Sequence, residues 1–455
     1  MNASTIIRTG LLALVSLFLL ASVVFAGEFK NGGTLVNKAT KTFNVNSGNF
    51  VNYNTAAGTV TNAGTINVNT LTTQDFRNDN GAALHGTVNN VIASDYGTIH
   101  VSQDFINVAG TVSNPGTGII DVRRDITATT GSITNAGTIK VGKDLTGGTG
   151  FTTSSGTVEY DGTVAQSVFA TTYGTLKALN ASTKTLSGAT TASTLFQIGV
   201  GATLAVSTQT LTLAGTVTTG GTLTSAAGGT VEYTLGGGQS VFAAAYGNLT
   251  LSGSGTKTSS SGLVSVVGIL TNSVTLSVAD FTAFAAGTFT GNSGTIDASG
   301  TVTVSAGLSE TIGGTFKYST PASGAQTVAA AQYSALTLAT GGSGTTTVNT
   351  AIYVSGAYST SGAGSRAYGG STLRFNGAGS QSITGDASAS FAALEFSDVG
   401  VKTLTSDVTT TGAVTINSTT SVGDGVVVDT GVTLIVGGDL TNDGTLTNNG
   451  TITVN

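Results

Sequence analysis

The sequence predicts an all-β protein: a right-handed parallel β-helix, or β-solenoid, with coils of about 18–21 residues. Three observations lead to that fold. The 455 residues include 66 Gly but only 2 Pro and no Cys, and only 8% are charged, against roughly 25% in an ordinary globular chain. Apolar residues alternate with Thr or Asn in short runs, as in Thr65-Ile-Asn-Val68, Thr210-Leu-Thr-Leu213 and Thr301-Val-Thr-Val304. Short phrases recur at steps close to one coil. Gly and β-branched residues disfavour helix. Period-two alternation marks half-buried strands, with Val, Ile and Leu inward and Thr outward. Gly, Asn-Gly and Asp-Gly supply the tight corners between them. One coil cannot bury its own apolar side, so neighbours must stack, and the length allows about 20 coils at this repeat.

Residues 1–26 read as a Sec signal peptide. Arg8 precedes an apolar run from Leu11 to Phe25, and Val24-Phe-Ala26 places small residues for a cut after Ala26. The apolar run is short for a membrane span of roughly 20 residues. An exported chain without a membrane span follows from this reading, secreted or held at a bacterial cell surface.

Residues 27–155 carry the first repeat. Gly64-Thr-Ile-Asn-Val68 returns as Gly97-Thr-Ile-His-Val101, Gly118-Ile-Ile-Asp-Val122 and Gly137-Thr-Ile-Lys-Val141. An Asp and an apolar residue follow each phrase: Asp75-Phe76, Asp104-Phe105, Asp125-Ile126 and Asp144-Leu145. Residues 156–436 carry a longer unit on the same solenoid. Gly156-Thr-Val-Glu-Tyr160 matches Gly229-Thr-Val-Glu-Tyr233, Gly314-Thr-Phe-Lys-Tyr318 and Ser371-Thr-Leu-Arg-Phe375. Gln166, Gln239, Gln326 and Gln381 follow, then Tyr173, Tyr246, Tyr333 and Phe391; Lys184, Lys257 and Lys402 share Thr-rich surroundings. The intervals between successive glutamines are unequal. They vary in steps near one coil, as loss or gain of whole coils would produce. Tandem β-sandwiches are the alternative for this middle region, because the unit approaches domain size. Residues 437–455 return to the first phrase, in Asp439-Leu-Thr-Asn-Asp-Gly444 and Gly450-Thr-Ile-Thr-Val454, with no cap after them.

The Asn-x-Gly-Thr-Ile-x-Val and Gly-Thr-Val-x-Tyr phrases resemble repeats of secreted bacterial right-handed β-helix surface proteins, including adhesins and autotransporter passenger regions. The likeness covers most of residues 27–455. It implies a structural or adhesive role outside the cell, with surface glycans, other surface proteins or further copies of the chain as partners. The repeat phrase at residues 450–454 presents a strand edge suited to the first coil of another copy, which would give head-to-tail fibres.

Composition and spacing exclude several chemistries. A net charge of −6 with 16 basic residues does not suit nucleic acid. Absence of Cys removes disulfides and thiolate metal sites. His85 and His100 lie in no nucleophile arrangement. Asp75, Asp104, Asp125, Asp144 and Asp439 are expected at equivalent corners, where a carboxylate caps backbone N–H groups; one carboxylate per coil is too few for Ca²⁺. The Thr pairs 216/218, 222/224, 301/303 and 451/453 raise ice binding, but their uneven spacing fits plain β-propensity better. Tyr160, Tyr173, Tyr233, Tyr246, Tyr318 and Tyr333 raise a glycan-binding stripe against packing at coil edges. A polysaccharide-active enzyme would need acidic groups clustered beside a base; here they are thinly spread. No residue is assigned as catalytic, metal-binding or cofactor-binding, no cofactor is expected, and the chain reads as a non-enzyme.

Overall fold

The computed structural model describes residues 22–26, 29–47, 49–52, 59–68, 75–78, 87–92, 95–148, 150–283, 289, 291–305, 307–386, 389–417 and 425–455. It is an all-β chain, 60% strand and 1% helix, whose parallel coils stack into a β-solenoid of about 19 turns. The chain divides into two units. One comprises 1–205 with 214–222, the other 206–213 with 223–455.

In the first unit each early coil contributes three short strands. The stack Phe29–Asn31, Phe50–Asn52, Phe76–Asn78, Phe105–Asn107, Ile126–Ala128 and Leu145–Gly147 is one of three parallel ladders. Thr34–Asn37, Thr59–Asn62, Thr87–Asn89, Thr111–Asn114 and Ser132–Asn135 make the second. Thr42–Ser47, Thr65–Val68, Thr98–Val101, Ile119–Val122 and Thr138–Val141 run into the longer strands Phe151–Tyr160, Thr172–Ala178 and Thr190–Ile198 as the third. Thr98, Ile119, Thr138, Thr157 and Thr175 face one another in succession, so each of these coils has the length that the repeat predicts. Thr65 also faces Thr98, across a much longer stretch of chain, so a coil can lengthen without breaking the ladder. Part of that excess forms the antiparallel pair Val91–Ile92 and Asp95–Tyr96. Ser22–Ala26, inside the segment read as a signal peptide, forms a strand parallel to Thr42–Ser47.

The second unit repeats the scheme. Thr275, Thr295, Thr315 and Ala335 face one another in even steps of one coil. Every pairing described between strands of residues 156–436 is parallel. Sandwich sheets are antiparallel, which overturns the tandem-sandwich alternative for the middle region.

The core follows from stacking like on like. In-register parallel pairing places each inward residue over its counterpart. Ile66, Ile99, Ile120, Ile139, Val158, Leu176 and Phe196 form one buried column. Val68, Val101, Val122, Val141, Tyr160 and Ala178 form the next; there the small Ala178 follows the large Tyr160. Phe50, Phe76 and Phe105 stack with centroids 4.6 and 4.8 Å apart and rings within 7° of parallel. Each buried Val, Ile or Leu contributes about 1.5–3 kcal/mol relative to exposure, which offsets the ordering of a Gly-rich chain.

Candidate functional site

Polar side chains fill the corners between strands, and their partners lie mostly in neighbouring coils. The first set is a pair of asparagine ladders. Asn31 donates Nδ2 to Asn52 Oδ1 at 2.9 Å, Asn52 to Asn78 at 2.9 Å and Asn78 to Asn107 at 2.8 Å. The second runs Asn37, Asn62, Asn90, Asn114 and Asn135 at 2.8–2.9 Å, then reaches Thr153 Oγ1 at 3.3 Å. All nine asparagines are buried. Each Nδ2 in the second ladder also meets a backbone carbonyl, as Asn90 does at Gly97 (2.8 Å) and Ile119 (3.1 Å). Burial demands such partners. The ladders explain the glycine in the Asn-x-Gly phrase: a Cβ on Gly64 or Gly137 would lie 2.9 Å from the Nδ2 of Asn37 or Asn114 one coil before.

Four of the five singled-out aspartates form a third ladder. The backbone amide of Asp104 donates to Asp75 Oδ1 at 3.3 Å, that of Asp125 to Asp104 at 3.2 Å, that of Asp144 to Asp125 at 3.1 Å and that of Ser167 to Asp144 at 2.7 Å. Asn49 starts the series by accepting from the Asp75 amide at 3.0 Å. Each carboxylate thus caps the next coil. Burial raises the Asp75 pKa, while the Asp104 amide pulls it back. Asp439 lies at the far end, where its carbonyl accepts from Val414 N.

The longer repeats build a different corner from their Gln, Lys and Tyr. Gln166 Oε1 accepts from Gly162 N (2.9 Å), and its Nε2 donates to Val141 O and Lys143 O at 2.8 and 2.5 Å. Gln381 repeats this with Gly377 N, Val354 O and Gly356 O, all at 2.9 Å. One coil later a lysine faces each of three glutamines: Lys184 over Gln166, Lys257 over Gln239, Lys402 over Gln381. These lysines are at most 2% exposed. Their ammonium groups sit among backbone oxygens. Lys257 Nζ donates to Leu235, Gly237 and Ser254 at 2.5, 3.1 and 3.3 Å. Lys402 donates to Gly377, Asp398, Val399 and Gly400 at 2.7–3.3 Å. Desolvation lowers the pKa of Lys184 and Lys257, and the Asp161 charge partly restores that of Lys184. Over Gln326 stands Thr346 instead, in a hydroxyl cluster with Thr320 and Thr340 at 2.6 Å each.

The tyrosines pair hydroxyl to hydroxyl: Tyr160 with Tyr173 (2.9 Å), Tyr233 with Tyr246 (2.9 Å), Tyr318 with Tyr333 (2.8 Å). In each pair one backbone residue closes the circuit. Phe169 N donates to Tyr160 at 3.0 Å while Phe169 O accepts from Tyr173 at 2.6 Å; Phe242 and Ala329 do the same. Since a hydroxyl carries one proton, Tyr173 must accept the proton of Tyr160. All six rings are fully buried, which overturns the glycan-binding stripe: their faces belong to the core. The fourth unit has Phe375 and Phe391 at these places, and a different tyrosine pair lies just before it. Tyr358 pairs with Tyr368 at 2.6 Å, Tyr368 donates to Asp386 at 3.2 Å, and Arg366 grips Asp386 through Nε and through Nη2 at 3.1 Å. Arg366 and Asp386 side chains are 5% and 0% exposed. Desolvation opposes the Arg366 charge, but Asp386 outweighs it and the pKa is raised.

Outward columns complete the inventory. His100, Asp121, Lys140, Glu159 and Lys177 succeed one another on facing positions, with Lys177–Glu159 at 2.8 Å and His100 Nδ1–Asp121 Oδ2 at 3.1 Å. The His100 hydrogen bond lowers the Asp121 pKa against the effect of burial. A surface depression of about 280 Å³ is lined by Asn67, His100, Val101, Ser102, Asp121 and Arg123. Its one serine hydroxyl donates to Val68 O at 3.0 Å. His85 lies outside the described residues. Thr216 and Thr218 face Leu195 and Gln197, and Thr453 faces Ile435, so these Thr pairs do not continue into a grid. Among the described residues no group of three His, Cys, Asp or Glu is placed to hold a metal.

Stacked parallel coils with these internal ladders define a β-solenoid repeat protein. Compared with protein-family models, with curated proteins and with solved structures, the chain gives no match.

Proposed function

We propose that the protein is an exported structural or adhesive β-solenoid of the bacterial cell surface or extracellular matrix, comparable to adhesin or autotransporter-passenger repeats. One observation carries the reading. Many residues suited to chemistry are bound to neighbouring coils: three buried lysines, three closed tyrosine pairs and nine laddered asparagines lie inside, and four half-buried aspartates cap the next coil. The outward face alternates charge, as in Asp121, Lys140, Glu159 and Lys177, which keeps a repetitive strand surface solvated. Its partners are surface glycans, other surface proteins or further copies of itself. The segment 1–26 supplies the export signal.

Antibody labelling of intact source cells, with N-terminal sequencing of the labelled protein, tests this. Surface or extracellular label and a start at Gly27 are expected. Retention inside the cell with residues 1–26 intact overturns the proposal.

A further inference from the structure

We propose that strand Ser22–Ala26 is a removable cover over an assembly edge, and that the last coil of a second copy takes its place once it is cut away. The inference rests on the exported structural role above. Ser22–Ala26 pairs in parallel with Thr42–Ser47, with Val23 opposite Phe43 and Phe25 opposite Val45. Both partners are core residues. Its last described residue is Ala26, the residue after which the sequence signals cleavage. One backbone edge accepts one parallel neighbour, so this strand and an incoming one exclude each other.

The last coil carries the pattern that would replace it. It reads Leu440-Thr-Asn442-Asp-Gly444-Thr-Leu446-Thr-Asn448-Asn-Gly450-Thr-Ile452-Thr-Val454. The first coil reads Phe29-Lys-Asn31, then Gly33-Thr-Leu35-Val-Asn37, then Thr42-Phe43-Asn-Val45. Within each of the three strands the apolar residues coincide, as do both corner asparagines, with a turn two residues shorter before Thr451 than before Thr42. Ile452 and Val454 match the places of Val23 and Phe25.

Hydrogen-bond direction fits as well. In both ladders each Nδ2 donates to the asparagine one coil further on, and Asn31 and Asn37 stand first. Asn442 and Asn448 accept at Oδ1 from Gly444 N and Gly450 N, at 3.3 and 3.1 Å, as Asn31 accepts from Gly33 N at 3.3 Å. Their Nδ2 groups therefore continue the donating sense toward an Asn31–Asn37 edge.

The chain has no cysteine, so introduced cysteines report contacts cleanly. Val36 is 52% exposed and Thr447 is exposed; in the proposed register they face each other. Facing Cα atoms lie about 4.8 Å apart, within disulfide reach. Full-length Val36→Cys and Thr447→Cys chains are secreted separately, sequenced at the N-terminus, mixed and oxidised. A linked heterodimer is expected at about tenfold the yield of Val36→Cys mixed with Thr441→Cys, because one face shift breaks register. The same chains made without membranes retain Ser22–Ala26 and should link at background level. Electron microscopy of the unsubstituted chain should show filaments only in the processed form. No linkage and no filaments in the processed form, or equal linkage in both forms, overturns the inference. Such a result would leave the surface location measured above standing.

Discussion

Raising the pH should unfold this protein through its tyrosines. Tyr160, Tyr173, Tyr233, Tyr246, Tyr318, Tyr333 and Tyr358 are fully buried. Desolvation pushes Tyr160 and Tyr233 from 10.0 up to about 12, although a backbone amide, and a partner hydroxyl that can turn to donate once the first ionises, favour the anion. The other five rise further, again chiefly by burial. A raised folded pKa means that the folded chain holds its proton where the unfolded chain has lost it. That stability is whole below pH 10 and is lost as pH climbs toward the folded value. Each group then costs about 1.4 kcal/mol per pH unit, so seven together cost about 10 kcal/mol per unit. Across two units Tyr160 alone accounts for about 3 kcal/mol. This slope exceeds the margin of an ordinary domain, about 5–15 kcal/mol, within one or two pH units. The assay is an alkaline titration that follows tyrosinate absorbance and far-ultraviolet circular dichroism in the same cuvette. The buried tyrosinates should appear in a steep step that coincides with loss of the β spectrum. Gradual ionisation of all tyrosines beneath an intact β spectrum would refute the reasoning, since it would mean that water reaches the hydroxyl pairs.

Three further outcomes are expected. Asn90→Ala removes the acceptor of Asn62 and the donor to Asn114 Oδ1; a loss of about 2–4 kcal/mol in urea unfolding follows from orphaned buried groups. Asp125→Asn keeps the acceptor that the Asp144 amide uses and should change the melting temperature little, whereas Asp125→Ala should cost about 1 kcal/mol, and added calcium should shift neither. Arg366→Met leaves Asp386 buried without its cation and should cost about 3–5 kcal/mol, with much of it regained in Arg366→Met/Asp386→Leu; equal stability of the single and double variants in thermal unfolding would contradict the geometry.

Much of this was legible in the residues. Period-two alternation and recurring phrases gave the strands, and stepwise Gln spacing favoured a solenoid over tandem domains, a choice that the parallel pairing then decided. The Asp phrase pointed to capped corners, which Asp75, Asp104, Asp125 and Asp144 form. The asparagine ladders were missed although their signal was present: Asn62 and Asn135 stand two before the phrase glycine, and only pairing turns that recurrence into a chain of amides. The lysines were noticed but not understood. Lys184 follows Gln166 by a single coil, yet nothing in a linear reading reveals that an ammonium sits among carbonyls rather than in water. The tyrosines left packing and glycan binding both open for a related reason. A repeated aromatic looks the same whether its hydroxyl meets solvent or a second hydroxyl, and only the depth of the coil decides. Arg366 and Asp386 share no phrase, so their meeting depends on stacking alone.

The long coil between Thr65 and Thr98 has a practical meaning. The Asn62–Asn90 bond spans it at 2.9 Å, so the ladder carries on although more chain separates its rungs. Closing a longer excursion adds only about 0.6 kcal/mol per doubling of its length. Such a body behaves as a spine with interchangeable branches. Foreign epitopes or small cargo peptides grafted into that coil would be displayed outward while the stacked interior remains as it was.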